Sequence, residues 1–321
     1  MHGRFPDVSM HIGHRRQTRR SPVPASIRQR PANLVGVPIL VQRFSPLLAV
    51  QGREHDLDYA PAPWVLKQCA ETEIIFLANP PAYEELSETY AYEVTFSKES
   101  AARKQAEPIR YAFSTMLKRF RAKVLKRNKV LGILNQLIAA SPSARINVLD
   151  VGCGWGELLQ TLMTSLPPAL RSRVAPHGVE ISRALSTLSD DKLRPLGGRC
   201  VHASAQDGVL RFEEDYFDII VMASYLEHEA SPLAVLENCR KRLKANGTII
   251  VKVPNFACYN RIIRGPRWSG FRWPDHVNYF TPKTLRAIAA RAGLEVVRMN
   301  ALDTTPFSDN MYALLRTSKA R

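Results

Sequence analysis

The chain has 321 residues, 45% of them hydrophobic and 8% aromatic, enough for a packed core in one large domain or two modest ones. Its formal net charge is +16, but residues 1–53 hold nine arginines against the single acid Asp7, so half of the excess sits in this stretch rather than on one folded surface. No apolar run approaches the roughly 20 residues that a membrane-spanning helix needs, and the five scattered cysteines, none spaced C-x-x-C, exclude a disulfide framework and a zinc knuckle.

Residues 1–55 read as a disordered tail rich in arginine and proline. Arginine-rich and acid-poor is also how an organelle transit peptide reads, and Met10 offers a later start. Residues 56–141 read as a small N-terminal helical lobe. Within it Ile74–Leu77 makes a short strand stopped by Asn79-Pro80-Pro81, and 84–92 makes a short helix. A long helical pattern covers 109–140 and carries a basic face that includes Lys118, Arg121, Lys126 and Lys129. Such a face is usually just solvated, although it also admits contact with nucleic acid.

From 142 to 321 strands and helices alternate. Strands fit at 146–151, 175–180, 199–203, 217–223, 247–253, 294–300 and 311–316; helices fit at 156–166, 182–193, 231–243 and 282–292. Strands separated by helices imply βαβ units, and hence a parallel sheet covered on both faces. The insertion 255–280, with Arg261, Arg264, Arg267, Trp268, Phe271, Arg272 and Trp273, reads as a lid over a substrate pocket.

The ligand is read from NVLDVGCGWGELLQ, 147–160. In an open α/β sheet ligands bind beyond the carboxyl ends of the strands, and Gly152, Gly154 and Gly156 let the backbone turn there and approach a ligand closely. A dinucleotide fingerprint needs a third glycine where this chain has Glu157, and a carboxylate there repels pyrophosphate. No G-x-x-x-x-G-K-[ST] run exists either. The pattern is D-x-G-x-G-x-G, with Asp150 ahead of the first glycine, and it suits a cationic ligand.

This segment resembles the first motif of the class I S-adenosylmethionine-dependent methyltransferases. HGVEIS (177–182), YFDIIVMASYLEHEASP (216–232) and LKANGTIIVKVPN (243–255) are similar to later motifs of that family in order and spacing, and DHVNYFTPKTLRAIAARAGLEV (275–296) resembles the C-terminal H-x-N-Y-F-T element of one subgroup. The resemblance implies a Rossmann-like, doubly wound, seven-stranded sheet, mostly parallel with its last strand antiparallel, and S-adenosyl-L-methionine as cofactor. It places cofactor contacts at Asp150, Gly152, Cys153, Gly154 and Gly156, at Glu180 and Ile181, at Ser204 and Ala205, and at Ala223. Glu180 falls where the family sets an acid on both ribose hydroxyls. Ser204 stands where the family usually has an acid near the adenine amine, a departure from the pattern. Relatives often carry a zinc ribbon before the domain, and only Cys69 remains of it, so no metal is expected.

The expected reaction is methyl transfer to an oxygen or nitrogen of a small or carbohydrate-like molecule. A histidine is the natural base near neutral pH, and His228 and His276 are the candidates. Two rival readings stay open: an RNA methyltransferase, prompted by the basic helix and tail, and an inactive cofactor-binding partner subunit. The expected compartment is the cytoplasm.

Overall fold

The computed structural model describes residues 40–48, 52–82 and 128–318. All of these lie in one compact unit, Pro38–Arg321. The helix expected at 84–92, most of the one at 109–140 and most of the tail lie outside the described residues.

Seven strands form the main sheet: β4 (Ile146–Val151), β5 (Val174–Glu180), β6 (Arg199–His202), β7 (Phe217–Ala223), β8 (Leu243–Pro254), β10 (Leu294–Arg298) and β11 (Asn310–Thr317). Their order is β6-β5-β4-β7-β8-β11-β10. Strands β4 to β8 pair in parallel, while β11 runs antiparallel to both β8 and β10. The chain therefore winds outward from β4 to β6, then restarts at β7 on the other side of β4. That switch point is where such sheets hold ligands.

Alternation along the central strands buries both faces. Ile219, Val221 and Ile250 join one core with α1 (Lys129–Ala140) and α2 (Glu157–Ser165). Ile220, Met222, Ile249 and Val251 join the other, with α6 (Pro232–Arg242) and α8 (Pro282–Arg291). Three shorter helices, α3 (Pro168–Arg171), α5 (Ala205–Gly208) and α7 (Tyr259–Arg264), and one longer one, α4 (Arg183–Leu193), complete the described set. Asp218 knits the amino ends of the sheet. It accepts from Ser143 Oγ (3.0 Å), the Asn147 amide (2.9 Å) and Lys244 Nζ (2.8 Å).

Ahead of this domain, residues 52–82 of the expected lobe are strands and α1 is the described end of its long helix. β1 (Glu54–Leu57), β2 (Leu66–Cys69) and β3 (Ile75–Leu77) form an antiparallel meander, and β3 pairs with β9 (Asn278–Tyr279) from the insertion. The expected boundary at 55/56 thus falls inside β1. Residues 40–48, assigned to a disordered tail, are ordered by long-range contacts: Val41 and Arg43 donate their amides to the Pro80 and Ala78 carbonyls at 2.9 and 2.8 Å. Lys129, at the end of the basic helical pattern, turns inward to Asp303 (2.9 Å).

The insertion 255–280 is packed more firmly than an open lid. Phe256, Trp268, Phe271 and Tyr279 join Leu66 and Ile75 in a third core. Arg261 lies over the Phe256 ring at 4.3 Å and donates to Tyr59 Oη at 2.7 Å. Asp309 collects the Trp268 indole N–H (2.9 Å), Ser269 Oγ (2.8 Å) and Asn260 Nδ2 (3.1 Å). Arg261 and these aromatics bind the insertion to the fold.

Candidate active site

The glycine turn leaves β4 at the switch point. Gly152, Gly154 and Gly156 all have positive φ (71°, 55° and 78°), and Gly156 opens α2. Two of them answer different demands. A Cβ at Gly152 would lie 2.5 Å from the Tyr225 ring, whereas one at Gly154 would meet nothing within 4 Å. The chain is thus held close to the strand β7 loop at Gly152 and faces open space at Gly154.

Two carboxylates flank that space. Glu180, ending β5, accepts from the Gly154 amide through Oε2 (2.9 Å) and from the Ser182 amide through Oε1 (2.9 Å). Asp150 is 5% exposed on β4. Burial first, and the neighbouring Glu180 charge second, push its pKa up to about 8. A site that raises an acid in this way welcomes a cation and resists a phosphate. The open ground at Gly154 and the paired acids fit an adenosyl sulfonium with its ammonium group.

The remaining expected contacts divide. Ile181 offers its carbonyl, which meets His202 Nε2 at 3.0 Å. Cys153 turns its thiol away, against Ser189 Oγ (3.3 Å) and Cys200 Sγ (3.5 Å), so only its backbone borders the turn. Hydrogen bonding with Cys200 and burial hold that thiol protonated. Ser204 caps α5, accepting from the Asp207 amide (3.2 Å) and donating to Asp207 Oδ2 (2.9 Å), so its hydroxyl is already engaged. Ala205 is buried behind it, and Ala223 ends β7, paired with Lys252. Next to it, Ser224 adopts a positive φ of 60°, a strained turn for a residue with a side chain.

That turn presents Glu227 and His228. The two histidines singled out from sequence come together: their rings meet edge to face with centroids 4.6 Å apart. His228 Nδ1 donates to Asp275 Oδ1 at 3.0 Å and approaches the Asp275 carbonyl at 3.1 Å. His276 Nδ1 donates to the Gly270 carbonyl at 2.8 Å. Burial works against a charge on His228, but the Asp275 carboxylate outweighs it and the net shift is upward. His276 is driven well below the ordinary imidazole range, by burial first and His228 second. Arg272 Nη2 lies 2.9 Å from Asp275.

Sequence reasoning missed the residues that hold this cluster. Asp275 and Glu227 sit beside the two histidines in the chain and were overlooked for that reason. Arg43 is half-buried and donates to the carbonyls of Val277 (2.7 Å) and Ala230 (2.8 Å) and to Asn278 Oδ1 (2.6 Å). Asn278 Nδ2 in turn donates to the carbonyls of Leu226 and Glu229 at 2.8 and 2.7 Å. Tyr225 hydrogen-bonds Glu229. H-x-N-Y-F was therefore a signal for an internal clamp, through its asparagine as much as its histidine.

Residues 94–299 match the family described as methyltransferase domain. The chain belongs to that family. The methyltransferase is similar to the ubiquinone biosynthesis O-methyltransferase of Cereibacter sphaeroides, 26% identical over 179 residues, 54% of this chain and 69% of the relative. It is also similar to the protein of that name from Ralstonia nicotianae, 24% identical over 188 residues, 56% of this chain and 76% of the relative. A solved S-adenosylmethionine-dependent methyltransferase from Archaeoglobus fulgidus shares 19% sequence identity and a TM-score of 0.43, covering 62% of this chain and 98% of that one. The methyltransferase is an enzyme whose cofactor is S-adenosyl-L-methionine. No helix among its described residues is long and apolar enough to cross a membrane.

Proposed function

We propose that this enzyme methylates a hydroxyl oxygen of a small molecule, with the acceptor seated where the loop after β7 meets residues 270–278. The cofactor would be held by the backbone of Gly152–Gly154, by Asp150 toward its ammonium group, by Glu180 toward its ribose, and by Ile181, Ala205 and Ala223 around the adenosine. Ser204 would contribute through its backbone, since its hydroxyl caps α5. When bound, the cofactor supplies a methyl group already activated on a positive sulfur. The protein's own work is then to align the acceptor, exclude water and weaken the hold of the hydroxyl on its proton.

The observation that carries the oxygen acceptor is the His228–Asp275 pair. Asp275 holds Nδ1–H at 3.0 Å, which leaves the Nε2 lone pair of His228 to meet a hydroxyl. An already nucleophilic amine has less need of such a group. The names of the relatives support the same choice, since both are O-methyltransferases. A small acceptor suits a site walled by the β7 loop and a packed insertion.

The test is transfer of labelled methyl from S-adenosylmethionine to a panel of phenols, aliphatic alcohols, amines and RNA. Label in a phenol or alcohol, reduced at least about a hundredfold in His228→Ala, is the expected result. Label confined to amines or to RNA would overturn the oxygen assignment.

A further inference from the structure

We propose that Glu227, His228 and His276 bind a divalent transition-metal ion of the zinc class, and that this ion is what the acceptor's hydroxyl meets. The inference rests on the oxygen-acceptor reading above and deepens it. The ion, rather than a free imidazole, lowers the pKa of the hydroxyl.

One ligand atom from each of the three residues lies within 4.8 Å of the other two. Metal–ligand bonds of about 2.0–2.2 Å set neighbouring donors roughly 3–4 Å apart, so closing on an ion asks each side chain to move by about 1 Å. The donor set is two imidazoles and one carboxylate, which suits zinc, iron, cobalt or manganese better than magnesium or calcium, whose sites are built of oxygen.

The tautomers are settled by what the rings face. Asp275 Oδ1 and the Asp275 and Gly270 carbonyls can only accept, so Nδ1 carries the proton in both histidines and the lone pair falls on Nε2. An imidazole that ligates a metal through one nitrogen almost always gives the other N–H to a carboxylate or a backbone carbonyl. Here one histidine has each kind of support. The bracing is also crossed: Asp275, which precedes His276 in the insertion, steadies His228 from the β7 loop.

The carboxylate supplies the second, independent observation. Glu227 is 1% exposed, and its Oε2 is buried without a hydrogen-bond partner. A carboxylate oxygen shut away from water and unpaired is costly, and a cation between it and two imidazoles removes the cost. His276 is 4% exposed, whereas the His228 side chain keeps 21% of its surface, so the open coordination positions lie on the His228 side. A hydroxyl bound there would lose its proton to solvent more readily, because the ion stabilises the oxygen anion directly.

The experiment uses the full chain, stripped with a chelator and titrated with Co²⁺ while its visible d–d bands are recorded, alongside metal analysis of the protein as purified. Expected are one Co²⁺ per chain with nitrogen and oxygen ligation and no thiolate charge-transfer band. Binding should be lost in Glu227→Gln and His276→Asn and weakened about 10–100-fold in Asp275→Asn. His55→Ala, on the exposed edge of β1, should bind as the parent does. Methyl transfer to the acceptor should fall on stripping and return with Zn²⁺ or Co²⁺.

Absence of Co²⁺ bands in the parent protein, or bands that persist unchanged in Glu227→Gln and His276→Asn, would overturn the inference, and the parent result does not depend on any variant folding. Stripped enzyme that methylates a hydroxyl at full rate would overturn it too, leaving the oxygen-acceptor reading intact with His228 acting alone. Stoichiometric Co²⁺ on an enzyme that labels only amines would uphold the ion and remove the reading beneath it.

Discussion

Asp150 shows how a single side chain records the character of its ligand. In the unfolded chain an aspartate titrates near 3.9. In the fold burial and the neighbouring Glu180 raise it to about 8. The folded state therefore keeps a proton that the unfolded state has already released. The Asp150 contribution to the stability of the cofactor-free enzyme falls as pH rises from about 4 to about 8 and levels off beyond, by on the order of a few kcal/mol. Asp150→Asn keeps the shape without the titration. Relative to the parent, its melting temperature should gain steadily between about pH 4 and pH 8, and parallel profiles would show that Asp150 does not carry the effect. The same substitution removes the carboxylate that we propose meets the ammonium group, so affinity for S-adenosylhomocysteine should drop about tenfold or more by calorimetric titration.

At the scale of elements, the core strands were legible because their period is local. Val148, Ile219, Val221 and Ile250 alternate with residues of the opposite face, and the glycines of 152–156 mark a sharp exit from β4. β1, β2, β3 and β9 were not legible as one sheet. Each is short, and the pairing of Ile75 with Tyr279 joins residues some two hundred positions apart, for which no local pattern exists. Arg43 was hidden for another reason: it looked like one more arginine of a basic tail. Its guanidinium nevertheless ties the β7 loop to the insertion and lies 6.0 Å from the Phe76 ring centroid. Burial lowers its pKa to about 10, with Glu229 holding it charged. Arg43→Met keeps the apolar bulk but takes the donor from the Ala230 carbonyl and Asn278 Oδ1 and removes the cation that faces Glu229. It should cost about 3 kcal/mol, a fall of roughly 5–10 °C in melting temperature. A variant that melts with the parent would show the clamp to be dispensable.

Across the whole molecule the two halves of the reaction are built from separate parts of the chain. In the function we propose, the cofactor side is made by turns that leave β4 and β5, anchored in the parallel sheet. The acceptor side we propose is made by the β7 loop and by 270–278, and that insertion is fastened from three directions. Arg43 holds it from the N-terminal segment, β3 pairs with its β9, and Asp309 at the foot of β11 grips Trp268, Ser269 and Asn260. Separate anchoring makes the two affinities separable. Asp309→Ala removes the hydrogen bonds of Trp268, Ser269 and Asn260 to one carboxylate, worth about 3 kcal/mol together, and none of them touches the glycine turn. Released at that end, residues 260–270 no longer fix Gly270, whose carbonyl orients His276. The KM for the acceptor should rise about tenfold while the Kd for S-adenosylhomocysteine stays within about twofold of the parent's. If both constants worsen together, the insertion and the cofactor turn share one support. The acceptor site would then have to be drawn across the sheet edge rather than on the insertion alone.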